Sequence, residues 1–301
     1  MKRIGMAGIG LMGQGIAGNI IKNGYSMVLL EHPGNQPLGE LIAAGATTTP
    51  SASLLAAAVD VVILCVTGSP EVEDVLYRRG GLLEGLKPGL IVIDCSTAIP
   101  SSTVRIAEAV NKAGGFFLDA AMTRTPKEAA EGRLNLIVGG DKALFDACRP
   151  LMDCYAENIV LAGPVGSGHR LKLLHNFVSL GFSAVLAEAA ACAERAGVDP
   201  KIFAEVLAQG GGAGVVLDRL RPYIESRDGS GFRFTIANAQ KDMAYYTTMA
   251  GEAGAAHSGA EAVRQIYAEA AKCGSAYATV PELIDLLLAP VQFQLSRASP
   301  S

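Results

Sequence analysis

The chain has no tryptophan, 6% aromatic residues and only four histidines in 301 positions. Charge is sparse too: 18% of residues carry it, and 29 acids against 25 bases leave a net charge of −4. That balance excludes the basic footprint that nucleic acid or an acidic membrane surface demands. The six cysteines (65, 95, 148, 154, 192 and 273) show no C-x-x-C spacing, and His32, His169, His175 and His257 form no H-x-x-x-H pair, so no metal site is expected. In a chain of this size, such cysteines read as small buried hydrophobes in a reducing cytoplasm. With the first strand beginning at once, no signal peptide is expected, and no apolar run is expected to reach the about 18 residues of a membrane span. A cytoplasmic protein without membrane or nucleic-acid partners is expected.

What the chain does have is apolar bulk (50% of residues) and 35 glycines, at a length that suits two domains. Short apolar runs ending in Gly, Asp, Ser or Pro recur at 3–8, 26–31, 60–66, 90–96, 115–122, 134–140 and 158–163. Helical stretches such as QGIAGNIIKNG and SSTVRIAEAVNKAGG separate several of them. Strands alternating with crossover helices predict an α/β fold with a parallel, doubly wound sheet of Rossmann type. Past GPVGSG (163–168) the strand pattern stops. Helices are predicted over 170–188, 200–208, 214–226, 236–253, 258–273 and 281–289, the second opened by Asp199 as N-cap and Pro200 at the first position. The expected division is a dinucleotide-binding domain (1–164), an all-α domain for substrate and self-association (165–295) and a tail (296–301).

The first strand runs into Gly8-Ile9-Gly10-Leu11-Met12-Gly13 and then a helix. G-x-G-x-x-G alone is weak, but strand before, helix after and an acid at Glu31 make the context of a dinucleotide site. One glycine makes the tight turn, one admits a pyrophosphate to the backbone, and one lets helix pack on strand. Glu31 suits the two hydroxyls of an adenosine ribose and repels a 2′-phosphate. With His32 and Pro33 following and no arginine adjacent, NAD is favoured over NADP. Two further strand ends, CVTGSP (65–70) and CSTAIP (95–100), point to the same crevice. They bring Val66 and Thr67 to the cofactor and place Ser96 and Thr97 at its nicotinamide end. Turn-forming and helix-capping hydroxyls are the alternative reading of that pair.

The segment RLKLLHNFVSLGFSAVLAE (170–188) carries Lys172, Asn176, Ser179 and Ser183 within roughly 60° of one another on a helix. Leucine, valine and phenylalanine cover the other sides. A helix apolar nearly all round is buried, so the polar stripe should line an internal cleft. The serines extend that lining or bond back to the helix backbone. His175, one residue off the stripe, is assigned to packing or hydrogen bonding.

With these features in hand, the chain resembles the β-hydroxyacid dehydrogenase family, which includes 3-hydroxyisobutyrate and tartronate semialdehyde dehydrogenases. The likeness rests on GIGLMGQGIAGN (8–19), DCSTAIP (94–100), DAAMTRTPKEAAEGRLNLIVGG (119–140), GSGHRLKLLHN (166–176) and FTIANAQKD (234–242). It implies Lys172 as catalytic acid/base, Asn176 as its positioning partner, Lys241 near cofactor or substrate, and a homodimer or homotetramer. Desolvation in a dry cleft would disfavour the charged lysine and bring it towards the operating pH.

One stretch departs from the family pattern. Where most members carry Asp-Ala-Pro-Val-Ser-Gly-Gly, this chain has Asp119-Ala120-Ala121-Met122-Thr123-Arg124-Thr125. Thr123 keeps a hydroxyl for the substrate carboxylate, while Arg124 and Thr125 fill space that glycine left open. A planar guanidinium suits an oxyanion, and the loop is similar to that of sulfolactaldehyde reductases. The substrate is therefore expected to be a small anionic hydroxy acid or aldehyde, with a sulfonate or doubly anionic one as the alternative. Arg124 as a salt-bridging surface residue beside Glu128 or Glu131 is the other reading. A non-catalytic dinucleotide-binding module is the competing function, disfavoured by the presence of both Lys172 and Asn176. An imine reductase is disfavoured by the lysine.

Overall fold

The apolar runs of the first half become strands β1 (Arg3–Ala7), β2 (Ser26–Leu30), β3 (Thr47–Thr49), β4 (Val61–Leu64), β5 (Ile91–Asp94), β6 (Phe116–Thr123), β7 (Leu134–Gly139) and β8 (Ala156–Gly163). The computed structural model describes residues 2–289. By compactness the described residues divide into two units that meet in sequence between Lys172 and Leu173. The tail expected at 296–301 lies outside the described residues.

All eight strands share one sheet in the order β3-β2-β1-β4-β5-β6-β7-β8. Every pairing is parallel except β6 with β7, which is antiparallel, so the expected doubly wound sheet is mostly parallel with one reversal. A parallel return needs a crossover of a dozen or more residues. The link from Thr123 to Leu134 holds only the one-and-a-half-turn helix Pro126–Ala130. Strand β3 was not expected either. Its sequence is three threonines with two of them exposed, so it offers no apolar signal.

Strand side chains alternate between two cores. Ile4, Met6, Ile63 and Ile93 join one, with Ile16 and Ile20 of helix Leu11–Lys22. Val62, Leu64 and Val92 join the other, with Leu55, Val72 and Ile106. Burial on both faces is why these strands read as unbroken apolar runs. Burial, with the Asp94 carboxylate nearby, pushes the Cys65 thiol up to about 12 and the Cys95 thiol well above the usual range, which disfavours the reactive thiolate of both. Cys192 and Cys273 correct the expectation that all six are buried, for both are exposed.

In the second unit, helices Pro200–Ala208, Val215–Ser226, Ile236–Glu252, Ser258–Ala270 and Leu283–Leu288 stand close to their predicted spans. The Asp199 carboxylate accepts from the N–H of Lys201 at 2.8 Å, with Pro200 at the first helical position. The stretch expected as helix to 273 instead turns into a π-helical segment, Ala271–Ser275. Leu173, Leu180, Ala184, Leu217, Met243, Tyr267 and Ile284 form the core. Tyr267, fully buried, keeps its hydroxyl satisfied by donating to the Leu180 carbonyl at 2.9 Å.

The helix expected at 170–188 starts earlier and ends later, running Ser167–Arg195. Two expectations about it are corrected. It is long and apolar enough to cross a membrane by length and composition, with a mean hydropathy of 1.4, although much of it is core. It is also not apolar-buried all round. Val178 (70% exposed), Val185 (60%), Leu171 and Leu174 form an exposed apolar face opposite the core-facing leucines.

Candidate active site

Helix Leu11–Lys22 begins at Gly10 without a side-chain cap and without an acid in its first turn. Its orphan N–H groups and positive dipole end suit a pyrophosphate. Gly8 stands at φ 91°, and a Cβ there would meet the Cys65 carbonyl oxygen at 2.3 Å. At Gly13 a Cβ would lie 2.1 Å from the Gly8 oxygen, so helix and strand could not approach as they do. Around Gly10, by contrast, nothing lies within 4 Å of such an atom. The turn, the open approach and the close packing predicted for the three glycines are all present, and the loop fits a dinucleotide.

Leucine 11 is exposed and Ile9 buried; the Ile9 N–H donates to Asn35 Oδ1 at 3.1 Å, and its carbonyl accepts from the Gln36 N–H at 2.7 Å. Asn35 thus ties the glycine loop to the turn after β2. An open groove of about 480 Å³ lies there, lined by Glu31, His32, Pro33, Asn35, Gln36, Leu38 and Pro50. Glu31 is exposed to it and accepts from Thr48 Oγ1 at 2.6 Å, so unforeseen β3 helps to hold the acid. The His32 Nδ1 accepts from the Gly34 N–H at 3.0 Å and shapes the same turn. Met12 is half-buried against the first core.

At the ends of β4 and β5, the Ser96 hydroxyl accepts from the Val66 N–H at 3.1 Å and joins the two loops. Thr67 is exposed and Thr97 half-buried. Beneath them lies Asp94, fully buried, whose Oδ1 accepts from the Ser96 N–H at 2.9 Å. Burial pushes the Asp94 carboxyl up, against the opposing pull of His169 and of its hydrogen bonds from Ser96.

On the long helix, Lys172 is half-buried and Asn176 6% exposed, one turn apart on one face. Asn176 Nδ2 donates to Asp242 Oδ2 at 2.6 Å, and Asn176 Oδ1 faces His175 Nδ1 at 3.0 Å. Asp242 is itself buried, and its other oxygen lies 3.2 Å from Lys241 Nζ. The ammonium of Lys241 also sits 5.5 Å from the Tyr245 ring centre. Asn176 and Lys241 therefore meet through one carboxylate that sequence reasoning missed. Its only signal was the Lys-Asp dipeptide closing FTIANAQKD. Of the serines, Ser183 turns back and donates to the Ser179 carbonyl at 2.8 Å.

The Thr123–Thr125 loop is built differently from a bare glycine loop. Thr123 Oγ1 accepts from Asn135 Nδ2 at 3.0 Å, and Thr125 caps the helix Pro126–Ala130 in a reciprocal pair with Glu128. Arg124 stands at φ 82°, in the left-handed region. Its guanidinium donates to the Arg133 carbonyl and pairs with Glu157 at the start of β8, rather than with Glu128 or Glu131.

Comparison with known proteins decides the family. The family description "NAD binding domain of 6-phosphogluconate dehydrogenase" matches residues 3–163. A second, "NAD-binding of NADP-dependent 3-hydroxyisobutyrate dehydrogenase", matches 166–287. The NAD-dependent L-serine dehydrogenase of Pseudomonas aeruginosa is 34% identical, over 74% of this chain and 74% of that one. The 2-hydroxy-3-oxopropionate reductase of Escherichia coli is 32% identical, over 72% and 73%. The chain belongs to the β-hydroxyacid dehydrogenase family. Its fold matches the Mycobacterium tuberculosis 3-hydroxyisobutyrate dehydrogenase solved with L-serine, at a TM-score of 0.85 and 24% identity over 96% of this chain and 100% of that one.

Like its relatives, this β-hydroxyacid dehydrogenase carries a nicotinamide-dinucleotide-binding domain and is an oxidoreductase acting on hydroxyl groups. At Arg124 a non-glycine residue occupies a left-handed backbone conformation that costs on the order of 1 kcal/mol or more. The contacts of its guanidinium with Glu157 and Arg133 hold it there.

Proposed function

We propose that this enzyme moves a hydride between NAD and a small β-hydroxy acid or its semialdehyde, with Lys172 as general acid/base. The observation that carries the reading is the stacking of Lys172 and Asn176 on one helical face, with Asn176 fixed by buried Asp242. Bound NAD would supply the hydride acceptor, its pyrophosphate at Gly8–Gly13 and its adenosine ribose at Glu31. Val66, Thr67 and Thr97, with His32 at the other end, complete the cofactor contacts, and the family resemblance assigns Lys241 to cofactor or substrate as well. Ser96 and Thr123 offer hydroxyls to the substrate carboxylate. Lys172 then takes the alcohol proton, or returns it in the reverse direction, and Asn176 holds the oxygen in place. The test is NADH formation or consumption across a panel of small β-hydroxy acids and semialdehydes, repeated with NADP. Turnover with NAD exceeding that with NADP supports the reading. Tight NAD binding without turnover of any member would leave only a dinucleotide-binding module.

A second reading concerns the substrate alone. Arg124 already pairs with one oxyanion, that of Glu157, from the loop where the family resemblance implies glycine. A sulfonate or second carboxylate on the substrate could take that carboxylate's place. Arg124→Gly is then expected to cost doubly anionic substrates on the order of 100-fold in kcat/KM while sparing simple ones. Equal loss for both, or none for either, would count against it.

The exposed face of Leu171, Leu174, Val178 and Val185 supports self-association as a homodimer or homotetramer, in a reducing cytoplasm that keeps all six thiols free. Light scattering on the purified chain should give a multiple of 31.1 kDa, and Val178→Lys should lower it. A monomeric wild-type protein would contradict this.

A further inference from the structure

A buried polar cluster lies beneath the turn of Ser96 and Thr97, and all of its members belong to the first unit. Asp94 and Asp119 are register partners on β5 and β6, and both are fully buried. Room for Asp119 is made by glycines. A Cβ on Gly139 would lie 2.5 Å from its carboxylate, and one on Gly168 2.8 Å. That carboxylate accepts from the N–H groups of Gly166 at 2.7 Å and His169 at 2.9 Å, where the long helix begins. Asp119 therefore anchors the start of the helix to the sheet.

The His169 ring, 0% exposed, reaches the other way. Its Nε2 lies 3.1 Å from the Ser96 carbonyl oxygen. A carbonyl only accepts, so Nε2 carries the hydrogen and donates it. Its Nδ1 lies 2.7 Å from Thr103 Oγ1, on helix Pro100–Lys112. A buried ring with both nitrogens satisfied avoids the penalty of orphaned polar groups and becomes a rigid link. It joins the turn after β5, the helix that follows it, and the helix that carries Lys172.

The link also fixes a direction. The Ser96 N–H is held by Asp94 and the Ser96 carbonyl by His169. Peptide planarity then sets the Thr97 N–H pointing away from the ring. We infer that His169 is a positioning residue: it locks the Ser96–Thr97 peptide to the helical turn bearing Lys172, so that the hydroxyls at the nicotinamide end keep a fixed spacing from the amine. The inference deepens the proposed oxidoreductase function and rests on it.

Three variants test it with two readouts, steady-state kinetics and amide hydrogen exchange at Thr97 in the cofactor-free protein. His169→Met removes both ring bonds at similar volume. It should lower kcat on the order of 100-fold, leave the KM for NAD within about threefold, and speed exchange at Thr97. His169→Gln can donate to Ser96 and accept from Thr103, and should restore most of both. Methionine and glutamine variants that are equally impaired, or a methionine variant with wild-type kcat and a protected Thr97 amide, would overturn the inference. Should His169→Met fail to fold, Thr103→Val removes one ring partner and should shift both readouts in the same direction; no shift in either overturns it. If the wild-type protein turns over no β-hydroxy acid, the oxidoreductase reading fails, and exchange at Thr97 still decides whether His169 locks the turn.

Discussion

Lys172→Met is expected to lower kcat on the order of 1,000-fold while leaving NAD affinity within about twofold of wild type. The substitution keeps the stem and removes the amine. It leaves the glycine loop, the Glu31 groove and the Asn176–Asp242 bond in place, because none of them runs through Lys172 Nζ. A lysine that merely covers apolar surface would lose little on becoming methionine, since methionine covers it as well. Turnover and cofactor binding therefore separate the two roles. Titration of NAD by calorimetry, beside kcat on the best substrate of the panel, is the measurement. A loss below about tenfold would return Lys172 to the class of surface lysines.

The second large effect concerns Gly10 and Gly13, neighbours in the same loop whose substitutions act by opposite causes. Gly13→Ala puts a methyl 2.1 Å from the backbone oxygen of Gly8. Backbone cannot rotate away as a side chain can, so the helix Leu11–Lys22 must shift from β1, weakening the fold and NAD binding together. Gly10→Ala meets nothing within 4 Å in the protein itself. It should leave the melting temperature unchanged and still weaken NAD on the order of 100-fold, because its methyl occupies the pyrophosphate's approach. Thermal melts and NAD titrations of both variants check this. If Gly10→Ala binds NAD as wild type does, the pyrophosphate does not cross that loop.

Much of this was legible in the chain because it depends on near neighbours. The glycine loop, the strand ends at Ser96 and Thr97, the Asp199–Pro200 helix start and the i,i+4 pair of Lys172 and Asn176 each use a handful of consecutive residues. What could not be read depends on residues far apart or on weak local signals. Asn176 meets Asp242 across 66 positions, and His169 meets Ser96 across 73. No periodicity announces such pairs. The threonines of β3 carry no apolar pattern, and the reversal between β6 and β7 follows from a connection too short to cross over. The partner of Arg124 was sought among acids nearby in sequence, but Glu157 arrives from β8, brought alongside by the sheet order. The open face of the long helix was hidden for a different reason. Leucine and valine look alike in sequence whether they meet a core or face outward.

The most direct test is isotopic. The wild-type enzyme is incubated with NAD and β-hydroxy acids deuterated at the carbinol carbon, and the nicotinamide ring is examined by mass spectrometry. Deuterium carried onto the reduced ring, with slowed turnover, is the predicted result. A nicotinamide that stays unlabelled with every acid offered, while NAD binds tightly, would contradict the account.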